Sequence, residues 1–345
     1  MNERITRLLA ELAEPLLVSS PVNVRYLTGF SSSNAALLVE PDGVRIFTDF
    51  RYAEQARALP AVELVETRRN LYSDLATMLS GRIGFEPEAL TVDRYETLAA
   101  GGIELVPRRR AVEALRTVKN SAELDSIQGA ARVTSEAFAR LAGERFTGRT
   151  EHELAWRMGE LLHELGGDGL AFPVIVAAGP NGALPHAVPG DRPIEPGELV
   201  IVDAGCRIDG YCSDCTRTFA TGALPSELEA AYEVVRQAQE AGLAGVVAGA
   251  DGAEVDRLAR DLISQAGLGE RFGHGLGHGV GLEVHEAPWL NPEFPSTLAA
   301  GNVVTVEPGV YLPGRGGVRI EDLVIVGAGS AEVLTTFTKE LSTVI

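Results

Sequence analysis

Short apolar runs alternate with helical stretches through the first hundred residues. Pro15-Leu-Leu-Val-Ser, Ala35-Ala-Leu-Leu-Val, Val44-Arg-Ile-Phe-Thr, Val62-Glu-Leu-Val, Arg82-Ile-Gly-Phe and Ile103-Glu-Leu-Val read as strands. Helical patterns lie between them at 1–12, 52–59, 71–79 and 94–100, an alternation that predicts an α/β domain. The segment 107–120 reads as a crossing into a second domain, so the expected domains are 1–115 and 116–345. Beyond it, Asn120 with Glu123, Thr150 with Glu153, Ser226 with Glu229 and Asp251 with Glu254 carry capping-box spacing ahead of amphipathic stripes such as Leu124, Ile127, Ala131, Phe138 and Leu141. Strands are expected at 172–177, 199–219, 302–307 and 318–326. Helices come early in this domain and strands are mostly joined as hairpins, an α+β arrangement.

The stretch 199–219 is the most informative. An apolar run ends in Asp203, Asp209-Gly210 follows, and a polar-rich run carries Asp214, the signature of a hairpin with a two-residue turn. That turn sets Ile208 against Tyr211 and Asp203 against Thr216. Asp203 and Asp214 then share a face, with Cβ atoms about 7–8 Å apart. Two carboxylates so placed repel unless a cation lies between them, and a metal pair about 3.5–4 Å apart fits. Alternatives are two solvated hairpin acids, or a zinc site from Cys206, Cys212 and Cys215. The zinc alternative lacks a second C-x-x-C pair.

Length and charge narrow the class. A chain of 345 residues suggests two cores, and no apolar run approaches the roughly 18 residues of a membrane helix. The first residues lack the apolar core of a signal peptide, and three cysteines confined to one hairpin fit a reducing cytoplasm. The net charge of −18 excludes a nucleic-acid partner. Residues 1–117 hold 14 basic and 16 acidic side chains, the remainder 16 and 32, so the excess acid lies in the half with the hairpin.

All six histidines also lie in that half. His152 and His163 sit on an amphipathic helix and read as surface residues. His186, His274, His278 and His285 fall in Gly- or Pro-rich stretches expected to be loops, where histidines are positioned rather than stored. Glu307 closes the run Val303-Val-Thr-Val, and Glu321 follows Val318-Arg-Ile; an acid at the end of an apolar strand needs a partner. Asp, Asp, His, Glu and Glu form an oxygen-rich set with one imidazole, suited to Mn, Co, Fe or Zn in a two-metal cluster.

Val202-Asp-Ala-Gly, Gly210-Tyr-Cys-Ser-Asp214-Cys-Thr-Arg-Thr-Phe, Gly273-His-Gly-Leu-Gly-His278, Val284-His-Glu-Ala-Pro, Val306-Glu-Pro-Gly-Val-Tyr and Val318-Arg-Ile-Glu-Asp resemble the pita-bread metallopeptidases. Asn23-Val-Arg-Tyr-Leu-Thr-Gly-Phe-Ser is similar to the N-terminal domain shared by aminopeptidase P, prolidase and creatinase. The resemblance implies a pita-bread catalytic domain behind a smaller creatinase-type α/β domain that covers substrate or dimerises. It implies two divalent ions, manganese ahead of cobalt, zinc or iron, held by Asp203, Asp214, His278, Glu307 and Glu321, with Asp214 and Glu321 bridging. A hydroxide between the ions would attack an Xaa-Pro bond, Glu307 would shuttle the proton, and His285 would stabilise the oxyanion. His186, His274, Arg319 and Tyr211 are the further catalytic and substrate-binding candidates, and Arg319 and Thr216 would orient ligands. Small proline-containing peptides are the implied substrates of a cytoplasmic homodimer, a prolidase first and an aminopeptidase P second. A catalytically silent peptide-binding domain would have lost ligands, and none is lost.

Overall fold

The structure, a computed structural model, describes residues 2–294 and 296–344. It divides into two compact units, Met1–Arg116 and Thr117–Ile345. The first unit carries β1 (Leu16–Val18), β2 (Ala35–Glu40), β3 (Gly43–Asp49), β4 (Glu63–Thr67), β5 (Arg82–Phe85) and β6 (Glu104–Pro107) in one sheet of order β4-β3-β2-β1-β5-β6. The β1–β2 and β2–β3 pairs are antiparallel and the others parallel. Helices α1 (Glu3–Glu11), α2 (Pro21–Thr28), α3 (Ala53–Arg57), α4 (Leu71–Met78), α5 (Val92–Ala100) and α6 (Ala111–Arg116) complete it, around Leu17, Leu38, Phe47, Leu75, Ile83 and Leu98.

Helices α2 and α6 are not among those the apolar pattern predicts. Helix α2 owes its start to local chemistry: Pro21 opens it and the Ser20 side chain accepts from the Asn23 amide. The buried Glu86 carboxylate also accepts the N–H groups of Ser19 (2.6 Å) and Ser20 (2.8 Å) and the Asn23 side chain (2.6 Å). An anion at a helix start is favourable.

The second unit pairs helices with sheets twice. Helices α7 (Ser121–Leu141) and α8 (Glu151–Glu164) are followed by β7 (Gly169–Leu170), β8 (Ile175–Ala178), β9 (Leu199–Ala204), β10 (Cys206–Ile208), β11 (Tyr211–Cys212) and β12 (Cys215–Ala220). Helices α9 (Ser226–Gly245) and α10 (Gly252–Gln265) precede β13 (Gly277–Gly279), β14 (Glu286–Leu290), β15 (Val303–Val306), β16 (Gly309–Leu312), β17 (Gly316–Arg319), β18 (Asp322–Ile325) and β19 (Glu332–Val333). One core joins Phe138, Met158 and Leu161 to Val200, Val202 and Phe219; another joins Tyr232, Val235 and Ile263 to Val304, Val306 and Val324. Sheets β12-β9-β8 and β14-β13-β15-β18-β19 thus each receive a helix pair.

The caps divide by chemistry. Asn120 with Glu123 and Thr150 with Glu153 form complete capping boxes. Ser226 is instead the first helical residue after Pro225, and Asp251 caps through Ala253 N while Glu254 pairs with Arg257. The run 318–326 is two strands in different sheets, β17 and β18, parted at Ile320-Glu321. His278 lies in β13 rather than in a loop. Its flanking glycines permit this, because a Cβ on Gly277 or Gly279 would lie 2.0 Å from the Thr305 carbonyl or 2.3 Å from that of Ala287.

The hairpin has the expected register, Ile208 against Tyr211 and Thr216 against Asp203. Asp209 and Gly210 turn it with φ of 50° and 78°, the backbone of a type I′ turn. Its ladder falls into two pieces on either side of Gly205, where a Cβ would sit 1.9 Å from the Ser213 carbonyl oxygen. Gly205→Ala is therefore expected to destabilise the chain by about 2 kcal/mol, an overpacking cost, read from the urea midpoint. Gly169→Ala, with no atom within 4 Å of its Cβ position, should leave the midpoint within about 0.5 kcal/mol of the parent.

Candidate metal centre

Asp203, Asp214, His278, Glu307 and Glu321 line one cleft of about 440 Å³. Asp203 comes from β9, Asp214 directly precedes β12, His278 is the middle of β13, Glu307 follows β15, and Glu321 occupies the break between β17 and β18. Ligand atoms of Asp214, His278 and Glu321 fall within 4.8 Å of one another. His278 Nε2 is 3.1 Å from Glu307 Oε1 and 3.8 Å from Asp214 Oδ2. Its Nδ1 lies 3.1 Å from the Gly279 carbonyl; a carbonyl can only accept, so Nδ1 holds a proton and Nε2 faces the carboxylates.

Three of the four carboxylates are held from outside. Thr216 donates to Glu321 Oε2 (2.8 Å), and Arg319 donates from Nη2 to Asp203 Oδ2 (2.7 Å) and from Nε to Thr216 (3.0 Å). Thr305 donates to Glu307 Oε1 at 3.1 Å and accepts the His278 amide at 3.1 Å. Arg319 Nη1 reaches the Tyr311 hydroxyl (2.9 Å), which lies 3.0 Å from His274 Nε2. Asp203 Oδ1 and Glu321 Oε1 are buried with no hydrogen-bond donor among the described residues.

The electrostatics follow. Burial, then the charge of neighbouring carboxylates, pushes Asp214 and Glu321 well above the ordinary range; burial also raises Asp203, against the pull of Arg319. Glu307 goes the other way. Burial works to raise it, but the His278 hydrogen bond and charge prevail and hold it at about 2. His278 is raised correspondingly, its bond to Glu307 overcoming the opposing effect of burial. Two bare oxygens among carboxylates that resist ionisation match the demand of a divalent cation for anionic oxygen and one neutral imidazole.

The cleft also receives His186, His274, His285 and Arg319. His274 and His285 are both lowered, chiefly by burial, and the His285 ring centroid is 4.3 Å from that of His278. The loop bearing His186 is pinned by Glu151, a buried carboxylate that accepts Ala178 N, Gly190 N and the Asn181 side chain, each at 2.7 Å. Tyr211 is not brought to the cleft wall. Its hydroxyl donates to Glu123 at 2.8 Å, because the register that places Asp203 and Asp214 at the centre leaves Tyr211 at the hairpin's far end.

The three cysteines are buried thiols, and none belongs to a group of metal-capable atoms among the described residues. Burial raises all three, opposite to what thiolate ligation requires. Sequence reasoning passed over Thr305, Tyr311 and Glu151. Thr305 could have been found by the same test as Asp203, a polar residue inside an apolar strand. Tyr311 closes the motif Val306-Glu-Pro-Gly-Val-Tyr, whereas nothing local distinguishes Glu151.

The chain matches the Creatinase/Prolidase N-terminal domain over residues 4–118 and Metallopeptidase family M24 over residues 125–328. The Xaa-Pro dipeptidase of Pyrococcus furiosus is 31% identical, with 99% of this chain and 100% of that protein covered. Among solved structures, the Xaa-Pro dipeptidase from Bacillus anthracis superposes with a TM-score of 0.95 at 36% identity, covering 99% of each chain. An X-Pro aminopeptidase from Thermotoga maritima gives 0.88 at 31%, covering 98% of this chain and 100% of that one. With its cleft of carboxylates and imidazole in the pita-bread unit, which follows a creatinase-type domain along the sequence, this chain belongs to metallopeptidase family M24.

Proposed function

We propose that the chain hydrolyses Xaa-Pro bonds, preferring dipeptides, with two divalent ions held by Asp203, Asp214, His278, Glu307 and Glu321. The observation that carries this reading is the pair of buried oxygens, Asp203 Oδ1 and Glu321 Oε1, without a donor among the crowded acids. When bound, the ions would polarise the scissile carbonyl and bring the pKa of water to about 7. Manganese heads the candidates, since carboxylate-rich sites suit it.

The protein's own groups then divide the work. The Glu307 carboxylate accepts a proton from the attacking water and returns it to the departing proline nitrogen. His285, kept neutral by burial, donates its N–H to the carbonyl oxygen as charge gathers there. The Arg319, Tyr311 and His274 chain fixes Asp203, and His186 with His274 borders the proline side. The resemblance also supports a cytoplasmic homodimer; light scattering is expected to give the mass of two chains.

The named relatives support the dipeptide preference, while the likeness to an X-Pro aminopeptidase favours a second reading in which longer peptides are cut. Purified enzyme is expected to turn over Ala-Pro well ahead of Ala-Pro-Ala; substantial tripeptide cleavage selects the second reading. Glu307→Gln should lower the rate by about 10³-fold, the scale of a lost general base, and activity absent with every divalent ion would sink both readings. Because burial and neighbouring carboxylates raise Asp214 and Glu321 well above the ordinary range without a cation, a bound metal shifts them toward their ionised form. Mn²⁺ binding is thus expected to release protons and to tighten as pH rises, as titration calorimetry in buffers of different ionisation heat would register.

A further inference from the structure

Arg217 follows Thr216 on β12, and adjacent residues of a strand face opposite ways. Thr216 turns to Glu321; Arg217 turns away and is 2% exposed. Its guanidinium is enclosed by acceptors. Nη1 donates to the backbone carbonyls of Thr216 (3.0 Å) and of Glu321 itself. Nη2 donates to Asp322 Oδ1 (2.8 Å) and the Phe337 carbonyl (2.7 Å), and Nε is shared between the carbonyls of Phe337 and Thr338. Asp322 also receives Lys339 Nζ (2.8 Å), the Gln239 amide (3.0 Å) and the Thr335 hydroxyl (3.0 Å).

The C-terminal segment is tied down along its length. Phe337 packs 6.0 Å, centroid to centroid, from both Phe138 and Phe219, and Tyr232 donates to the Lys339 carbonyl. Farther on, Ala220 N bonds Ser342 O, and Val344 N bonds Ala220 O. A buried arginine and aspartate with a half-buried lysine add little stability over an apolar replacement, and none of them lines the cleft. What they do fix is position. One guanidinium spans the strand leading from Asp214, the backbone of Glu321 and the tail.

We propose that Arg217, Asp322 and Lys339 form a clamp through which residues 335–344 position the metal ligands Asp214 and Glu321, so that docking of the tail tunes metal affinity. The inference rests on the reading of the five-residue set as metal ligands. Arg217, Asp322 and Lys339 are positioning residues that touch neither ion nor substrate.

The test uses the full chain as parent, Lys339→Met, Lys339→Gln, Lys339→Arg and Arg217→Lys. Each is loaded with Co²⁺ alone and measured by chelator competition, by visible absorption of bound cobalt and by melting of the metal-free protein. Lys339→Met is expected to weaken Co²⁺ binding about tenfold, the scale of lost outer-shell support, and to alter the cobalt spectrum. Lys339→Gln should be intermediate, Lys339→Arg should restore parent behaviour, and Arg217→Lys, which keeps charge but loses the fork, should weaken binding like Lys339→Met. The Lys339 side chain is 24% exposed, so the neutral glutamine variant supplies the reading if the methionine variant does not fold. A lowered melting point with parent affinity and spectrum overturns the clamp. Absence of saturable Co²⁺ uptake by the parent would instead remove the ligand reading beneath it.

Discussion

Four carboxylates and an imidazole share one buried cleft, and the protein alone cannot balance them. Arg319 neutralises Asp203 and His278 answers Glu307, but among the described residues Asp214 and Glu321 have no cation of their own within hydrogen-bond reach. Burial makes such a surplus costly, so the fold is arranged around a charge that the chain does not encode. The surrounding donors Thr216, Thr305 and Arg319 each satisfy one side of a carboxylate, and Tyr311 braces Arg319.

Delivering those side chains requires both halves of the second unit. Asp203 and Asp214 come from the hairpin backed by α7 and α8, whereas His278, Glu307 and Glu321 come from strands backed by α9 and α10. The two sets meet where strands end or break. A strand end frees a side chain from cross-strand packing while keeping its backbone anchored in a rigid sheet, which is what a precise ligand set needs. Small residues make the meeting possible, with Gly205, Gly277 and Gly279 each admitting a backbone carbonyl where a Cβ would collide.

Local chemistry made the centre legible in the sequence. An acid that ends an apolar run, an Asp-Gly turn and histidines set among glycines are short-range signals that marked Asp203, Asp214, Glu307, Glu321 and the histidines of the expected loops. The choice of His278 among those histidines came from the resemblance to the pita-bread metallopeptidases. Features that depend on distant partners were not legible. The helix at Pro21–Thr28 is stabilised by Glu86, more than sixty residues away, and the role of Glu151 exists only once the loop with His186 folds onto it. Two equal capping spacings also parted company, since Asn120 had an open helix start and Glu254 found Arg257 nearer. Tyr211 misled for the opposite reason: it is close in sequence to the ligands but at the wrong end of the hairpin.

The proposed clamp extends the same logic outward, from the carboxylate oxygens of the cleft to the groups that hold them still. Crystals grown with Mn²⁺ and measured with X-rays at the manganese absorption edge test the central claim most directly. Two anomalous peaks, bounded by Asp203, Asp214, His278, Glu307 and Glu321 and bridged by Asp214 and Glu321, are the predicted result. Peaks elsewhere, or none among those five side chains at saturating Mn²⁺, would contradict it.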